Sequence, residues 1–535
     1  KSMFAFIENA ETSRCDSSLQ ALSWMGKTPD RLPDNGSWKL TEASYYHHGW
    51  LATGNAKGII GITFTSIHSY VLDQPIRTTF YLRGHRSEVM LVKWNEPFQK
   101  LATCDVSGII FVWIKHDGRW SIELINDRNS QVTDFTWSHD GQMALICYKD
   151  SFVLVGSVGG QRYWSTVLNL EGCSVSCGIW TPDDQKVMFG TTAGKVIVMS
   201  ATGTIIAEVV IRADLEITHL GWSTEKFYMF ENNYKTDSSN NSNYNNENIS
   251  VNNGNDSNNI YTIDENFPYI LSVVLSVGDI LLMTGYDDLC PKVIHTGLKG
   301  VKVEWSNDGE VLAVVGHTKA PDKSDEVVNE LRFYKQSMKC QLSMILPAVQ
   351  QIVTAITWAH NDQRLFVAIG NELFTIWVYK HVANLQLLCK TKIRQMVSDE
   401  SLVQTLPLPY KILSNVFDMY SSTIKGYIPR PGNLREFVCT CPHFRDRLHC
   451  TIIRNGDEST GIYYVLYLEH LGGLIPLLKG KRASKLHPDF VIFDPQAEAN
   501  INGKSNGNSK GENLFQVNSN FYLFLYLFFA FLCEL

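Results

Sequence analysis

Five residues near the end of the chain are of the types that bind zinc: Cys439, Cys441, His443, His449 and Cys450. Thiolate sulfur and imidazole nitrogen are the usual ligands of structural zinc, which takes four of them in a tetrahedron. The spacing argues against a site, because two cysteines separated by one residue are closer than the paired ligands of most zinc sites. We therefore predict strand cysteines and loop histidines, with no bound metal and no other cofactor.

A glycine-rich stretch, Gly190-Thr-Thr-Ala-Gly194-Lys195, resembles a nucleotide-binding loop only in part. A phosphate-binding loop has one more residue between its glycines and a Ser or Thr after its lysine, whereas Val196 follows the lysine here. We assign no catalytic acid, base or nucleophile elsewhere in the chain. The sequence therefore predicts a protein that is not itself an enzyme.

The residue pattern that indicates recognition is an apolar stripe at helical spacing. Its members fall at i, i+3, i+4, i+8 and i+11 and are Leu385, Leu388, Cys389, Ile393 and Met396. Residues with this spacing share one face of a helix. A short helix that carries such apolar anchors suits insertion into the groove of a partner protein.

A second motif follows at Leu406, Pro407, Leu408 and Pro409. Two prolines at alternate positions fix φ and hold the residues before them in extended geometry. A stiff segment of this kind loses little conformational entropy when it docks on a partner. Another amphipathic stretch comes directly after it, with apolar residues at Leu413, Val416, Phe417 and Tyr420.

These two motifs, in this order, resemble a SOCS box, which we assign to residues 383–428. In that family the L-x-x-x-C helix binds elongin C, and elongin B through it, while the proline motif selects cullin 5. The resemblance implies elongin C contacts at Leu385, Leu388, Cys389 and Ile393, and cullin contacts at Leu406, Pro407, Leu408 and Pro409. Asn384 stands where the family more often has a small residue. The alternative is that both stretches pack on their own domain and that the proline motif is a linker.

Tryptophan recurs upstream of these motifs at a nearly constant interval. Trp94, Trp137, Trp180 and Trp222 are 43, 43 and 42 residues apart, and further copies of the pattern begin at Trp24, Trp305 and Trp358. Short strands with a period of about 40–45 residues indicate the blades of a β-propeller. Seven copies predict one closed ring over residues 1–381, with Met3 to Ile7 supplying a strand of the last blade. We assign the tryptophans to core packing.

The repeat resembles the WD-repeat family. Gly84-His85 matches the Gly-His dipeptide of that family, and Trp113 matches the tryptophan of its third strand. Ser107 stands where the family often has the aspartate of a buried hydrogen-bond tetrad, so the tetrad is expected to be incomplete. The resemblance implies that the rim or a face of the ring holds a protein substrate, which the sequence does not identify.

Two regions depart from the repeat. Residues 231–259 are rich in Asn and Ser, cannot build a core, and are predicted to be a disordered insertion in the fifth blade. Residues 432–496 resemble the opening strands of a tubby domain, beginning with Arg435-Glu-Phe-Val438. The resemblance places a phosphoinositide head group near a basic run, Lys481, Arg482 and Lys485; the alternative is a solvated hairpin.

Composition bounds the remaining possibilities. The 535 residues are 44% hydrophobic, enough to bury cores for more than one domain, and the net charge of −7 argues against binding to nucleic acid. The chain shows no secretory signal at its start, so we expect a cytoplasmic protein with reduced cysteines. Residues 497–535 are predicted to be a disordered tail. Its apolar run, Phe521 to Leu532, is shorter than the roughly 20 residues of a membrane span, and a tail anchor is the alternative.

The sequence thus predicts a mainly β protein: a seven-bladed WD-repeat propeller, a small α-helical SOCS box and an incomplete tubby-like antiparallel β unit. This combination resembles the tubby-like proteins. It implies a non-catalytic substrate-recognition subunit of an elongin B/C–cullin 5 RING ubiquitin ligase. The alternative is a WD-repeat scaffold in ciliary or membrane trafficking, in which residues 385–420 are only a buried cap on the ring. Exposure of Leu385, Cys389 and the proline motif distinguishes the two.

Overall fold

The chain folds almost entirely into antiparallel β-sheets. The computed structural model describes residues 3–8, 14–26, 46–68, 75–224, 269–319, 327–347, 350–397, 400–426, 428, 434–439, 448–456, 462–482 and 490–493. Within these residues lie eight four-stranded sheets, of which seven form a ring and one follows a helical segment. The predicted mainly β fold with a WD-type propeller is confirmed.

The ring contains strands β1 to β28. In chain order they are β1 (Phe4–Ile7), β2 (Leu19–Gly26), β3 (His48–Asn55), β4 (Ile59–Ser66), β5 (Thr79–Arg83), β6 (Val89–Asn95), β7 (Lys100–Asp105), β8 (Ile109–His116), β9 (Arg119–Asp127), β10 (Val132–Trp137), β11 (Met143–Tyr148), β12 (Phe152–Ser157), β13 (Arg162–Val167), β14 (Val175–Trp180), β15 (Lys186–Thr191), β16 (Lys195–Ser200), β17 (Ile205–Val210), β18 (Ile217–Trp222), β19 (Leu271–Leu275), β20 (Asp279–Met283), β21 (Lys292–His295), β22 (Lys299–Trp305), β23 (Val311–Lys319), β24 (Val327–Lys335), β25 (Cys340–Ile345), β26 (Val353–Ala359), β27 (Arg364–Ile369) and β28 (Glu372–Tyr379).

Blades 1 to 6 are meanders of four consecutive strands, beginning with β2–β5 and ending with β22–β25. Blade 7 consists of β26, β27 and β28, and its fourth strand is β1 from the start of the chain. Phe4 pairs with Tyr379 and Ile7 with Ile376. The first strands of successive blades contact one another in an unbroken cycle, so the ring is closed.

Antiparallel order gives the ring two distinct faces. The turns between first and second strands and between third and fourth strands lie on one side, which we call the lower face. The turns between second and third strands, and the links between blades, lie on the upper face. Because the helical segment follows β28, a third strand, the chain leaves the ring at the lower face.

Four of the repeated tryptophans, Trp94, Trp137, Trp305 and Trp358, donate a hydrogen bond to the blade before their own. The indole N–H of Trp94 donates to the carbonyl oxygen of Ser23 at 3.1 Å, and that of Trp358 donates to the carbonyl oxygen of Glu304 at 3.0 Å. Trp180 is only 1% exposed. A buried indole supplies a large apolar area as well as one donor, which suits packing between sheets.

Blade 2 contains a complete buried tetrad, so the expectation of an incomplete one is wrong. His85 lies 2.8 Å from a carboxylate oxygen of Asp105 and 2.8 Å from the hydroxyl of Thr103, and Trp113 donates to that hydroxyl at 2.9 Å. The carboxylate comes from the last residue of β7, two positions before Ser107. The Ser107 hydroxyl instead lies 2.8 Å from that of Ser87 near the surface.

Blade 5 differs from the repeat in its second strand. The strand that pairs with β18 is Leu271–Leu275, rather than the apolar residues that come soon after Trp222. Trp222 itself pairs with Leu271, so the register of the repeat is kept although the two strands are far apart in sequence. The predicted insertion at 231–259 falls outside the described residues.

The segment after the ring is helical. It contains α1 (Leu385–Met396), α2 (Glu400–Val403), α3 (Tyr410–Phe417) and a 3-10 turn (Asp418–Tyr420). Helix α1 contacts both α3 and the 3-10 turn, and α2 contacts α3. Val403, Val416 and Met419 are buried between them.

The last described unit is a helix on a four-stranded sheet: α4 (Leu434–Cys439) with β29 (Cys450–Asn455), β30 (Tyr463–His470), β31 (Gly473–Arg482) and β32 (Phe490–Phe493). The sequence predicted a strand around Arg435–Val438, and this is wrong. Leu434, Phe437 and Val438 fall at i, i+3 and i+4, so a helical turn buries all three against the sheet.

The hairpin between β30 and β31 is inserted against blade 1. The hydroxyl of Thr53 donates to the carbonyl oxygen of Leu471 at 3.0 Å, and the amide of Asn55 donates to that of Gly472 at 3.0 Å. The backbones approach so closely that a Cβ atom on Gly61 would lie 2.2 Å from the Gly472 nitrogen. The final sheet is thus held on the side of the ring.

None of the described helices is long and apolar enough to span a bilayer. The apolar run Phe521 to Leu532 and the predicted tail 497–535 lie outside the described residues.

Candidate partner-binding site

Helix α1 begins at a side-chain cap. The Asn384 side-chain oxygen accepts a hydrogen bond from the Leu387 backbone N–H at 2.8 Å, which satisfies one of the free donors of the first turn. The residue that departs from the SOCS pattern is therefore one that stabilises the helix start. Within the helix, the Thr391 hydroxyl donates a hydrogen bond to the Leu387 carbonyl oxygen at 2.8 Å.

The predicted elongin C anchors lie on the solvent side of α1. Leu385 is 77% exposed and Leu388 is 44% exposed, and Cys389 is also exposed. Ile393 is half-buried. Large apolar side chains left in water at neighbouring positions of one helix mark a surface for a partner. The helix is therefore not a buried cap on the ring.

The opposite side of α1 contacts the ring. Thr391 is buried, and the Arg394 guanidinium lies 5.6 Å from the centre of the Phe6 ring in β1. Burial lowers the pKa of Arg394, an effect that the nearby Glu8 carboxylate opposes. After the helix, the Tyr420 hydroxyl donates to the Val397 carbonyl oxygen at 2.6 Å. The exposed face of α1 therefore has a fixed direction relative to the ring.

The proline motif lies between α2 and α3. Pro407 and Pro409 are exposed, whereas Leu406 and Leu408 are half-buried. Pro409 immediately precedes α3, and its carbonyl oxygen accepts from Ile412 and Leu413 in the first turn of that helix. The prolines thus project to solvent next to Tyr410, which is 87% exposed.

Four residues far apart in sequence hold the end of the helical segment on the ring: Glu8, Arg364, Trp377 and Thr423, which we call the clasp. The Glu8 carboxylate accepts from the Thr423 N–H at 2.9 Å, from its hydroxyl at 2.6 Å and from the Trp377 indole at 2.7 Å. Arg364 donates to the Thr423 hydroxyl at 3.1 Å and lies 3.6 Å from the Trp377 ring centre.

The clasp is buried and electrostatically compensated. Burial lowers the pKa of Arg364 to about 10 and that of Lys425 to about 8, and the Glu8 carboxylate opposes both changes. A buried carboxylate is tolerated when cations and hydrogen-bond donors surround it. Glu8 therefore depends on these cations, and they depend on Glu8.

Residues just beyond Thr423 continue the contact as an added strand. The Ser66 N–H donates to the Thr423 carbonyl oxygen at 2.9 Å, and the Lys425 N–H donates to that of Phe64 at 3.1 Å. Thr65 and Ile424 form an antiparallel bridge. Sequence analysis missed these contacts and the clasp, since no local pattern links residues 8, 364 and 423.

The basic run of the last sheet is described only in part. Lys481 is exposed near the end of β31, while the side chain of Arg482 and all of Lys485 lie outside the described residues. Lys479 lies 4.5 Å from the centre of the Tyr463 ring. A phosphoinositide site therefore stays a prediction.

The cysteine and histidine residues of the same unit form no metal centre within the described part of the chain. Burial raises the pKa of Cys450 to about 12, and His449 accepts a hydrogen bond from the Thr78 N–H at 3.3 Å. Cys441, His443 and the Cys439 side chain fall outside the described residues.

Known proteins similar to this chain include propeller proteins of two kinds. The sequence model of a β-propeller family described as WDR35/TULP4 N-terminal matches residues 35–378. Tubby-related protein 4 of Homo sapiens is 43% identical over 93% of this chain, and that of Mus musculus is equally similar. WD repeat-containing protein 35 of Homo sapiens is 28% identical over 55% of this chain. The predicted resemblance to the tubby-like proteins is confirmed.

These matches cover only part of the relatives. The chain spans 32% of the human tubby-related protein 4 and 22% of the human WD repeat-containing protein 35. Among solved structures, the Cps50 (Swd1) β-propeller domain of Myceliophteria thermophila aligns with a TM-score of 0.46 and 13% identity, covering 69% of this chain and 99% of that domain.

Proposed function

This chain belongs to the WDR35/TULP4 N-terminal family of β-propellers, and we propose that it is the non-catalytic substrate receptor of a ubiquitin ligase. In this proposal the exposed face of α1 binds elongin C, and elongin B through it. The proline motif recruits cullin 5, and the ring holds the protein to be modified. The chain would act in the cytoplasm.

The observation that carries the proposal is the exposure of the α1 anchors. Leu385, Leu388 and Cys389 face solvent on a capped, ring-anchored helix, which is the arrangement that a helix-in-groove contact requires. An isolated helix of this length would pay a large entropy cost on ordering, whereas α1 is already folded on β1 and α3.

The proposed role of the chain is proximity. A substrate held on the ring and a ligase held on α1 would be kept at a fixed separation, which raises the effective concentration of the reacting groups. The clasp and the added strand beyond Thr423 support this role because they tie the helical segment to blade 7 and to blade 1 respectively.

The test is binding of purified elongin B/C to the full chain, measured by calorimetry. The double variant Leu385→Ala, Cys389→Ala should lose binding by about a hundredfold or more, since anchors of this kind carry most of a small interface. The matched control Gln386→Ala, Gln395→Ala changes two exposed polar residues of the same helix and should bind as wild type does.

Cullin choice is tested on the same complex. Pro407→Ala, Pro409→Ala should leave elongin binding intact and weaken capture of cullin 5. If the folded wild type does not bind elongin B/C at all, the ligase proposal fails. The scaffold alternative, in which the ring alone binds partners, then becomes the better account.

A further inference from the structure

Blade 1 departs from the repeat at one position of its third strand. In the other six blades the third-strand residue at this register has a large side chain: Phe111, Leu154, Ile197, Leu281, Arg332 and Phe374. These side chains lie at the seam with the preceding blade. In blade 1 the residue at this register is Gly61, which pairs with Thr53. The seam between blades 7 and 1 therefore lacks a side chain that the other six seams contain.

The hairpin between β30 and β31 fills this place. Leu471, at the tip of the hairpin, is fully buried in an apolar cluster that includes Leu51 of blade 1 and Phe366 of blade 7. A Cβ atom on Gly61 would lie 2.2 Å from the Gly472 nitrogen and 2.5 Å from the Leu471 carbonyl carbon. The tip therefore replaces the side chain that the repeat lacks here. We call the space beside Gly61 the socket.

The socket binds the backbone of the hairpin tip. The Thr53 hydroxyl donates to the Leu471 carbonyl oxygen at 3.0 Å, and both Thr53 and Asn55 are buried. The Asn55 amide donates to the Gly472 carbonyl oxygen, also at 3.0 Å. The Asn55 side-chain oxygen accepts from the Ile59 backbone N–H at 3.0 Å, which fixes the direction of the amide. Because backbone carbonyls are common to all hairpins, these contacts recognise a tight turn, and only the apolar space around Leu471 selects a side chain.

Leu471 is an unusual residue for its position in the turn. The loop has two residues, Leu471 and Gly472, with φ of 48° and 74°, so both lie in the left-handed region. Hairpin turns of this kind favour Asn followed by Gly, whereas a bulky side chain is uncommon at positive φ. The burial of its side chain in the socket explains why a leucine stands here. Leu471 is thus an anchor for the socket.

At the rim of the socket the contacts are polar. Arg77 forms an ion pair with Glu469 at 2.9 Å, and Thr451 donates to the same carboxylate at 2.6 Å. Arg77 is 43% exposed, and ion pairs with an exposed partner contribute little. Withdrawal of Leu471 is therefore the main step in undocking the last sheet. Residues 423–425 bond to the opposite end of β4, so the helical segment keeps its own attachment to the ring.

We propose that the socket is a recognition site for a β-hairpin tip, and that the last sheet occupies it as an autoinhibitory contact. The partner is a protein with an exposed two-residue hairpin turn that carries an apolar residue followed by glycine. The chain's own hairpin excludes this partner because its tether gives it a high effective concentration. Withdrawal of Leu471 opens the socket while Thr53, Asn55 and Gly61 stay in place. The site is separate from α1 and does not depend on the ligase role.

The probe is a fluorescent cyclic peptide with the sequence of residues 467–476, whose ends are paired across the hairpin. Its affinity for the full chain is measured by fluorescence polarisation. Leu471→Asn removes the apolar anchor but suits the left-handed turn, so the sheet keeps its hairpin while the socket empties. This variant should bind the peptide about tenfold or more tightly than wild type does.

The matched control fills the socket from the side of the ring. Gly61→Leu places there the residue type of blades 3 and 5, in an extended strand that accepts a side chain. The double variant Gly61→Leu, Leu471→Asn should therefore lose the gain in affinity. A peptide with Asn in place of the leucine of its turn should bind neither variant.

Folding is monitored independently of binding. Circular dichroism and the melting temperature show whether each variant is folded, and Leu471→Ala replaces Leu471→Asn if the latter is not. Amide hydrogen exchange should become faster in β30 and β31 of Leu471→Asn, whereas a residue that serves only the turn would slow it. If the folded variant binds the peptide no more tightly than wild type does, the hairpin does not block the socket and the proposal is overturned. Tighter binding that persists in the double variant would lie elsewhere and overturn it equally.

Discussion

Blade 2 and the closure of the ring both use a buried tryptophan N–H and a carboxylate, but they use them differently. In blade 2, Trp113 donates to Thr103, which contacts His85, which contacts Asp105, all within the blade and the link that leads into it. At the closure, Trp377 in the last blade donates directly to the carboxylate of Glu8, which lies 369 residues earlier in the chain. One network stabilises a single blade, whereas the other joins three separate parts of the protein.

The charges of the two networks also differ. Burial lowers the pKa of His85, an effect that Asp105 opposes, so a neutral ring faces a single carboxylate in blade 2. At the closure the Glu8 carboxylate acts on Arg364, Arg394 and Lys425, all of them cations partly removed from water. The clasp is therefore an electrostatic contact, and the tetrad is mainly a hydrogen-bonded one.

Removing the carboxylate from each network should separate these two cases. Glu8→Ala leaves buried cations and the Trp377 and Thr423 donors uncompensated, so we expect a loss of about 3–5 kcal/mol in the free energy of unfolding. Asp105→Ala leaves a neutral His85 without one partner and should cost about 1–3 kcal/mol. Both are measured by chemical denaturation of the full chain.

The matched variants Glu8→Gln and Asp105→Asn keep the shape and remove only the charge. Glu8→Gln should retain most of the loss of Glu8→Ala, because the cations still lack their counter-charge. Asp105→Asn should recover more than half of the loss of Asp105→Ala. Equal recovery at both sites would contradict the distinction between an electrostatic and a hydrogen-bonded network.

Acid provides a second comparison, between His85 in blade 2 and His360 near the closure. Burial lowers the pKa of His360 well below its usual value, and Arg364, His48 and Lys425 lower it further. Its Nδ1–H donates to the Tyr46 carbonyl oxygen at 2.9 Å, and its Nε2 accepts from the Thr65 hydroxyl at 3.0 Å. The ring is therefore neutral in the folded state.

The sign of the pH effect follows from these pKa values. Below about pH 6.5 the unfolded chain binds protons that a buried neutral histidine does not, so stability falls by about 1.4 kcal/mol per pH unit for each such group. Denaturation between pH 7.5 and 5 should show a flatter slope for His360→Asn than for His85→Asn. A larger flattening in His85→Asn would mean that Asp105 does not oppose the lowering of the His85 pKa by burial.

The amino-acid sequence predicted the ring because its signal is local and repeated. Each tryptophan lies near the same short strand and turn, so one blade predicts the next. The exposed stripe of α1 was equally readable, since Leu385, Leu388 and Cys389 share a face by spacing alone. Whether a partner covers that face is not encoded in the spacing.

Sequence reasoning missed three features: the clasp, the carboxylate of the tetrad and the short helix α4. The clasp unites residues 8 and 423, and no periodicity connects them. The tetrad carboxylate was sought at Ser107, two residues after Asp105, which supplies it. Helix α4 has six residues, too few for its i, i+3, i+4 pattern to stand out from strand alternation.

The smallest expected effect comes from removing one hydroxyl from each network. Thr423→Val deletes the bond to Glu8 and the acceptor for Arg364 but keeps the backbone bonds to Glu8 and Ser66. Thr103→Val deletes the acceptor shared by His85 and Trp113. Each should cost about 1 kcal/mol, the usual net worth of such bonds.

The two valine variants should differ in where the loss appears. Amide hydrogen exchange should accelerate across residues 421–426 in Thr423→Val, because the clasp holds that segment on the ring, and only across β7 and β8 in Thr103→Val. The elongin B/C binding that we propose for α1 should be the same in both variants, since Leu385 and Leu388 face away from the ring. If residues 421–426 exchange equally fast in the two variants, the added strand at Ser66 and Phe64 holds the segment, and the clasp only closes the ring.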